Sequence, residues 1–213
     1  MAIRPVFISN LSKKGYVDTV DVEFKWFSGF SKVQKQKSIE SLHNSFLNTY
    51  NNEKILEISS KSSDPLGISL SAFNLMLNLD SDNTHSVESV FQSSKVFENG
   101  GPYCDLLNKS SKEAKTDPRL KTSGKLLYFQ HKDIKWPLEP KTLFYDWLYL
   151  NALSNNLTLI SDVIKYTAFT DIEFNPQKSI NCQARSVALF ISLYKLNLLD
   201  FALTSKENFI NTL

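Results

Sequence analysis

The segment VESVFQSSKVF, Val87 to Phe97, is the most informative stretch of this chain. Read as a helix, it places Glu88, Phe91, Gln92 and Lys95 at i, i+3, i+4 and i+7, on one face. A ring, a carboxylate, an amide and an amine make a poor core stripe, because burying the two charges without partners costs several kcal/mol. A polar, concave pocket accounts for them. A solvated face with a charge pair has the same spacing, so periodicity alone leaves both readings open. Asn99-Gly100-Gly101-Pro102 follows as a strong stop signal.

On the N-terminal side, Pro5–Ser9 and Tyr16–Phe24 read as short strands, the second partly alternating apolar and polar residues. Lys32 to Tyr50 carries Ile39, Leu42, Phe46 and Tyr50 at helical spacing. Ile55–Ser59 reads as a strand, and SSKSSDPLG after it as a turn-rich loop. On the C-terminal side a helix begins at Ser111 and ends before Pro118. Another spans Pro140–Leu153 with proline at its first position. A short piece covers Ser161–Ala168, and a long helix covers Gln183–Leu199. The expected fold is α+β and mostly helical, a single domain with no clear internal boundary.

Composition narrows the class. With 213 residues, 42% apolar and 22% charged, the chain can build a core. A net charge of +2 does not by itself announce a nucleic-acid binder. Two cysteines, Cys104 and Cys182, suit reduced thiols, and three histidines without a C-x-x-C pattern give no support to a metal site. The N-terminus lacks the apolar core of a signal peptide, and Lys195 and Asp200 interrupt the apolar stretch Val187–Leu203. These features point to a soluble, cytoplasmic chain with no membrane partner and no cofactor.

VESVFQSSKVF resembles the helix that supplies a catalytic glutamate in the NADAR (YbiA-like) superfamily. Further pieces follow in the family's order: LSAFNL at 70–75, SSKEAK at 110–115, Trp136 with Asp146 ten residues on, and NPQKSINCQARSVALFISL near the end. Together they cover about residues 55–195, and the resemblance implies a catalytic domain of residues 55–213 with residues 1–54, strands and one helix, as an N-terminal extension. Ser89 stands where many members carry histidine, and the closing element lacks the usual glycine. FKWFSGFSKVQKQKSIESLHNSF and YTAFTDIEFNPQKSINCQA are similar to the subgroup encoded beside DarT-type DNA ADP-ribosyltransferases. That resemblance implies an ADP-ribosyl glycohydrolase acting on ADP-ribosylated guanine in DNA, serving as antitoxin to a DarT-type toxin and having that toxin as a possible partner.

Cleaving a ribose–base bond passes through an oxocarbenium-like state that a carboxylate stabilises. Glu88 is the first candidate. Lys95 or Lys61 can instead attack the anomeric carbon as an amine, and Asp146 can serve as a second acid or a ribose ligand, or be only a surface aspartate. Substrate-binding candidates are Ser62, Phe73, Asn74, Gln92, Lys115, Trp136 and Asn181. Lys61 and Ser62 lie in a loop whose N–H groups and hydroxyls suit phosphate, though Lys61 equally reads as a plain loop lysine. Phe73 and Trp136 suit base stacking, while Trp147 reads as core. Asn181 suits a ribose or phosphate oxygen, or caps the last helix.

Between Lys109 and Lys135 stand eight basic residues against three acidic ones, an excess that suits a phosphate backbone or a solvated face; Lys32, Lys35 and Lys37 form a weaker cluster. Two alternatives remain. One is an N-glycosidase acting on a small riboflavin-pathway or ADP-ribose-like metabolite. The other is a non-catalytic antitoxin that binds the toxin or ADP-ribose.

Overall fold

The computed structural model describes residues 1–12, 15–79, 83–177 and 179–213; Lys178, in the quoted NPQKSINC, lies outside the described residues. From the N-terminus run β1 (Ala2–Ser9), β2 (Val17–Phe24), α1 (Lys32–Leu47), β3 (Ile55–Glu57) and α2 (Pro65–Ser69). Then come β4 (Met76–Asn78), β5 (Thr84–Ser86), α3 (Val87–Ser93), β6 (Lys95–Phe97), a 3-10 turn (Cys104–Asn108), α4 (Ser111–Thr116), α5 (Arg119–Thr122), β7 (Leu126–His131), β8 (Ile134–Trp136) and α6 (Leu143–Ser154). The chain closes with α7 (Leu157–Val163), β9 (Ala168–Thr170), α8 (Gln183–Lys195), α9 (Leu199–Leu203) and α10 (Lys206–Thr212). The class is α+β. Among the described residues no helix is long and apolar enough to cross a membrane.

Two compact units emerge, one of Met1–Ser71 with Asn156–Leu213, the other of Ala72–Asn155. The first is built on a sheet of order β2-β1-β9-β3. β1 runs antiparallel to β2, with Val6 opposite Val20, and antiparallel to β9, with Phe7 opposite Phe169. β3 runs parallel to β9 and sets Glu57 beside Thr170. Successive strand side chains point to opposite faces. Val6, Val22 and Phe24 thus join Ile39, Leu42 and Phe46 of α1 in one buried cluster. The apolar spacing read in α1 is therefore the stripe that meets the sheet. Residues 1–54 contribute β1, β2 and α1, and pair with β9 from far along the chain.

In the second unit β6, β7 and β8 form an antiparallel sheet and β4 pairs with β5. α6 is buried around nearly its whole circumference, as a helix apolar on all sides requires. Phe144 lies 5.0 Å from Phe129 and 5.5 Å from Trp136, and Trp136 lies 4.8 Å from Trp147.

Several boundaries differ from the sequence reading: α1 ends at Leu47 rather than Tyr50, and the piece expected over Ser161–Ala168 is helix from Leu157 to Val163, with Ala168 opening β9. The helix expected over Val87–Phe97 stops at Ser93. The Ser93 and Ser94 hydroxyls donate to Val90 O at 2.9 and 2.7 Å, closing the last turn, and Val96 and Phe97 enter a strand opposite Tyr128 and Leu126. The C-terminal helix ends at Lys195 instead of Leu199, because Asn197 takes a left-handed φ of 56° before α9 begins. α6 starts at Leu143, leaving Pro140 outside it with its carbonyl accepting the Leu143 N–H at 3.0 Å.

Gly67 permits the tightest approach in the first unit. A Cβ there would stand 2.0 Å from Glu57 O and 2.6 Å from Ser62 Oγ. Gly67→Ala is expected to lower unfolding stability by about 1–3 kcal/mol or more. Denaturant unfolding measures this, and unchanged stability contradicts the close approach.

Candidate active site

α3 begins where its free N–H groups find partners. The Ser86 side chain accepts from Ser89 N at 3.1 Å and donates to Ser89 Oγ at 2.9 Å. Ser111 Oγ lies 2.7 Å from Ser86 Oγ and donates to Phe73 O at 2.9 Å. Val87 N donates to Leu75 O and Glu88 N to Ala72 O. The LSAFNL segment thus fixes the start of α3 through its carbonyls, and a small buried Ser89 fits this hydroxyl network.

Glu88 follows, 5% exposed, in a helix whose every residue is buried. Its Oε1 accepts from Gln92 Nε2 at 2.8 Å and lies 3.6 Å from Lys115 Nζ. Among the described residues Oε2 has no hydrogen-bond partner, and neither has the buried Gln92 Oε1. Lys115 reaches in from α4, whose start is set by a capping box between Ser110 and Glu113. Its amine stands 5.0 Å from the Phe73 ring centre.

Lys95 sits at the start of β6, not on the helix face that spacing suggested. Its position rests on Gly101, which has a φ of 88°; a Cβ there would stand 2.2 Å from Lys95 O. The Lys95 amine lies 4.9 Å from the Phe91 ring centre. Burial pushes its pKa down to about 8 from 10.5; the Glu88 charge opposes that shift and the Lys115 charge adds to it. Glu88, Gln92, Lys95 and Lys115 thus form one electrostatic cluster with Phe73 and Phe91 beneath the amines.

Other expected residues lie differently. Trp136 is 1% exposed, and Phe144 and Trp147 pack against its ring, so the pocket-facing role expected of it gives way to the core. Asp146 is buried on α6 rather than on a helix surface. Asn74 is exposed. Lys61, Ser62 and Asn181 belong to the first unit. Ser62 is buried and accepts the Asp64 N–H at 3.1 Å, so its hydroxyl braces the loop. Lys61 is half-buried. Asn181 does not cap α8, whose N-cap is Cys182, and its Oδ1 is buried with no partner among the described residues.

The first unit holds a buried acid that spacing did not flag. Glu57 accepts from Ser59 Oγ at 2.6 Å, Thr170 Oγ1 at 2.6 Å and Ile172 N at 2.8 Å. Burial raises its pKa against those three donors. Burial also lowers His43 to about 4, so at neutral pH the uncharged ring donates from Nε2 to Thr170 Oγ1 across 2.8 Å. Both Glu57 oxygens are engaged, which suits a structural acid.

The basic run at 109–135 is partly neutralised. Arg119 holds Asp105 and Asp117 through paired contacts, and Lys109 also pairs with Asp117. These cations hold the Asp117 carboxyl well below the usual range. Asp105 precedes the counted window, which is why local charge counting overstated the excess.

The family model described as DarT1-associated NADAR antitoxin matches residues 2–213. No curated protein matches the chain.

The two charges beside Lys95 act in opposite senses, so Glu88→Gln is expected to lower its pKa below about 8 and Lys115→Met to raise it. NMR titration of isotope-labelled lysines reads both; shifts of the same sign contradict the cluster. The folded amine also releases its proton at about 8 and the unfolded one at 10.5. The unfolded state therefore binds more protons in that window, and the Lys95 contribution to stability rises with pH across it.

Proposed function

The chain belongs to the DarT1-associated NADAR antitoxin family, and on that premise we propose that it is an ADP-ribosyl glycohydrolase that removes ADP-ribose from guanine in DNA. The observation that carries this reading is the half-engaged Glu88. One oxygen is held by Gln92 and faces Lys115, while the other has no partner among the described residues. A carboxylate in that state can stabilise positive charge growing at ribose C1 and take a proton from an attacking water. As the C1–nitrogen bond breaks, its electron pair goes to the guanine nitrogen, which gains a proton. Water supplies the hydroxyl that C1 receives. Gln92 Oε1 is an unfilled acceptor suited to a ribose hydroxyl.

Lys95 suits a proton-carrying or nucleophilic part. At a pKa of about 8, about a tenth of its amine is neutral at pH 7. Attack by that amine on C1 would displace the base and, on ring opening, leave an imine that water hydrolyses. Borohydride reduction would then fix ADP-ribose to Lys95. The exposed Lys115 amine suits a substrate phosphate or hydroxyl. Lys61, in the Ser-rich loop of the first unit, keeps its reading as a phosphate ligand or alternative amine.

Purified protein incubated with an oligonucleotide ADP-ribosylated on guanine is expected to release ADP-ribose. Glu88→Gln, nearly isosteric, is expected to slow release by about 10²–10⁴-fold. No release by the wild type contradicts the proposal. If Glu88→Gln protects cells from the toxin as well as the wild type does, a binding antitoxin replaces it.

A further inference from the structure

From Lys25 to Ile39 the chain has four lysines, three aromatic residues and no acid. Phe30 is 100% exposed and Val33 59%, apolar side chains open to solvent among the lysines of this stretch. The loop that presents them is held firmly. Phe27 N donates to the buried Ser38 Oγ at 2.9 Å, and Lys25 N to Ser41 Oγ at 3.1 Å. Ser31 caps α1 by accepting from Gln34 N, and the first turn of α1 holds no acidic residue.

Cations flank the rings. Lys35 Nζ lies 4.8 Å and the Arg4 guanidinium 5.4 Å from the Trp26 ring centre, and Lys25 Nζ lies 5.0 Å from that of Phe27. Glu173 shares Lys35 at 3.0 Å, while Lys25, Lys32 and Lys37 are exposed.

We propose that this face of the first unit binds single-stranded DNA, with Phe30 stacking on an unpaired base and Lys25 and Lys32 meeting adjacent phosphates. An exposed ring between Lys25 and Lys32 matches an unpaired base and its flanking phosphates in a strand. A duplex keeps its base faces covered, which leaves Phe30 without a partner. The inference rests on the composition and exposure of this surface and does not require the hydrolase reading. Its probe is therefore unmodified DNA.

Fluorescence anisotropy with an unmodified mixed-sequence strand and the matching duplex tests it. The strand is expected to bind more tightly than the duplex. Phe30→Ala, at a fully exposed position that leaves folding intact, is expected to weaken strand binding by about 5–150-fold. Replacing both Lys25 and Lys32 by Gln should reduce the slope of log affinity against log salt by about 1.4. Equal affinity for strand and duplex with no effect of Phe30→Ala overturns the proposal. So does a Phe30→Ala protein that keeps its affinity for the strand but no longer binds the toxin, because the face would then be a protein interface.

Discussion

A carboxylate taken out of water must be compensated or protonated, and the arrangement around Glu88 is organised by that requirement. Gln92 supplies one hydrogen bond and Lys115 and Lys95 supply positive charge. None of them saturates the group. The serine network of Ser86, Ser89 and Ser111 and the carbonyls of Ala72 and Leu75 fix the helix start that carries it. Beneath the amines, the Phe73 and Phe91 rings give the cations a polarisable, water-poor surface. The cluster is thus one acid and two bases on a packed floor, and changing the charge at Glu88 or Lys115 retunes Lys95.

Glu57 shows what a saturated acid looks like in the same chain. Three donors cover both its oxygens, and a neutral His43 closes the network through Thr170. The two buried glutamates thus differ in engagement, a difference that burial alone does not reveal.

Much of this was legible in the sequence. The two N-terminal strands, the apolar spacing of α1 and a long helix beginning at Gln183 are in the structure as read. Glu88 and Gln92 share a helix as read. Lys95 reaches the same cluster by a different route, since side-chain bonds from Ser93 and Ser94 end the helix and β7 recruits the next residues. Trp136 reads in the sequence as a base-stacking residue, but its burial is decided by Phe144 and Trp147 from another element. The neutralisation of Arg119 by Asp105, and the donors around Glu57, depend on residues brought together by folding, so no local window contains them.

The most direct measurement is a crystal structure of the Glu88→Gln protein bound to an oligonucleotide carrying ADP-ribose on guanine. The account predicts the anomeric carbon within about 3–4 Å of the residue 88 side chain, with a ribose hydroxyl donating to Gln92 Oε1. A ligand whose anomeric carbon lies away from residue 88, with Gln92 Oε1 still unfilled, would contradict it.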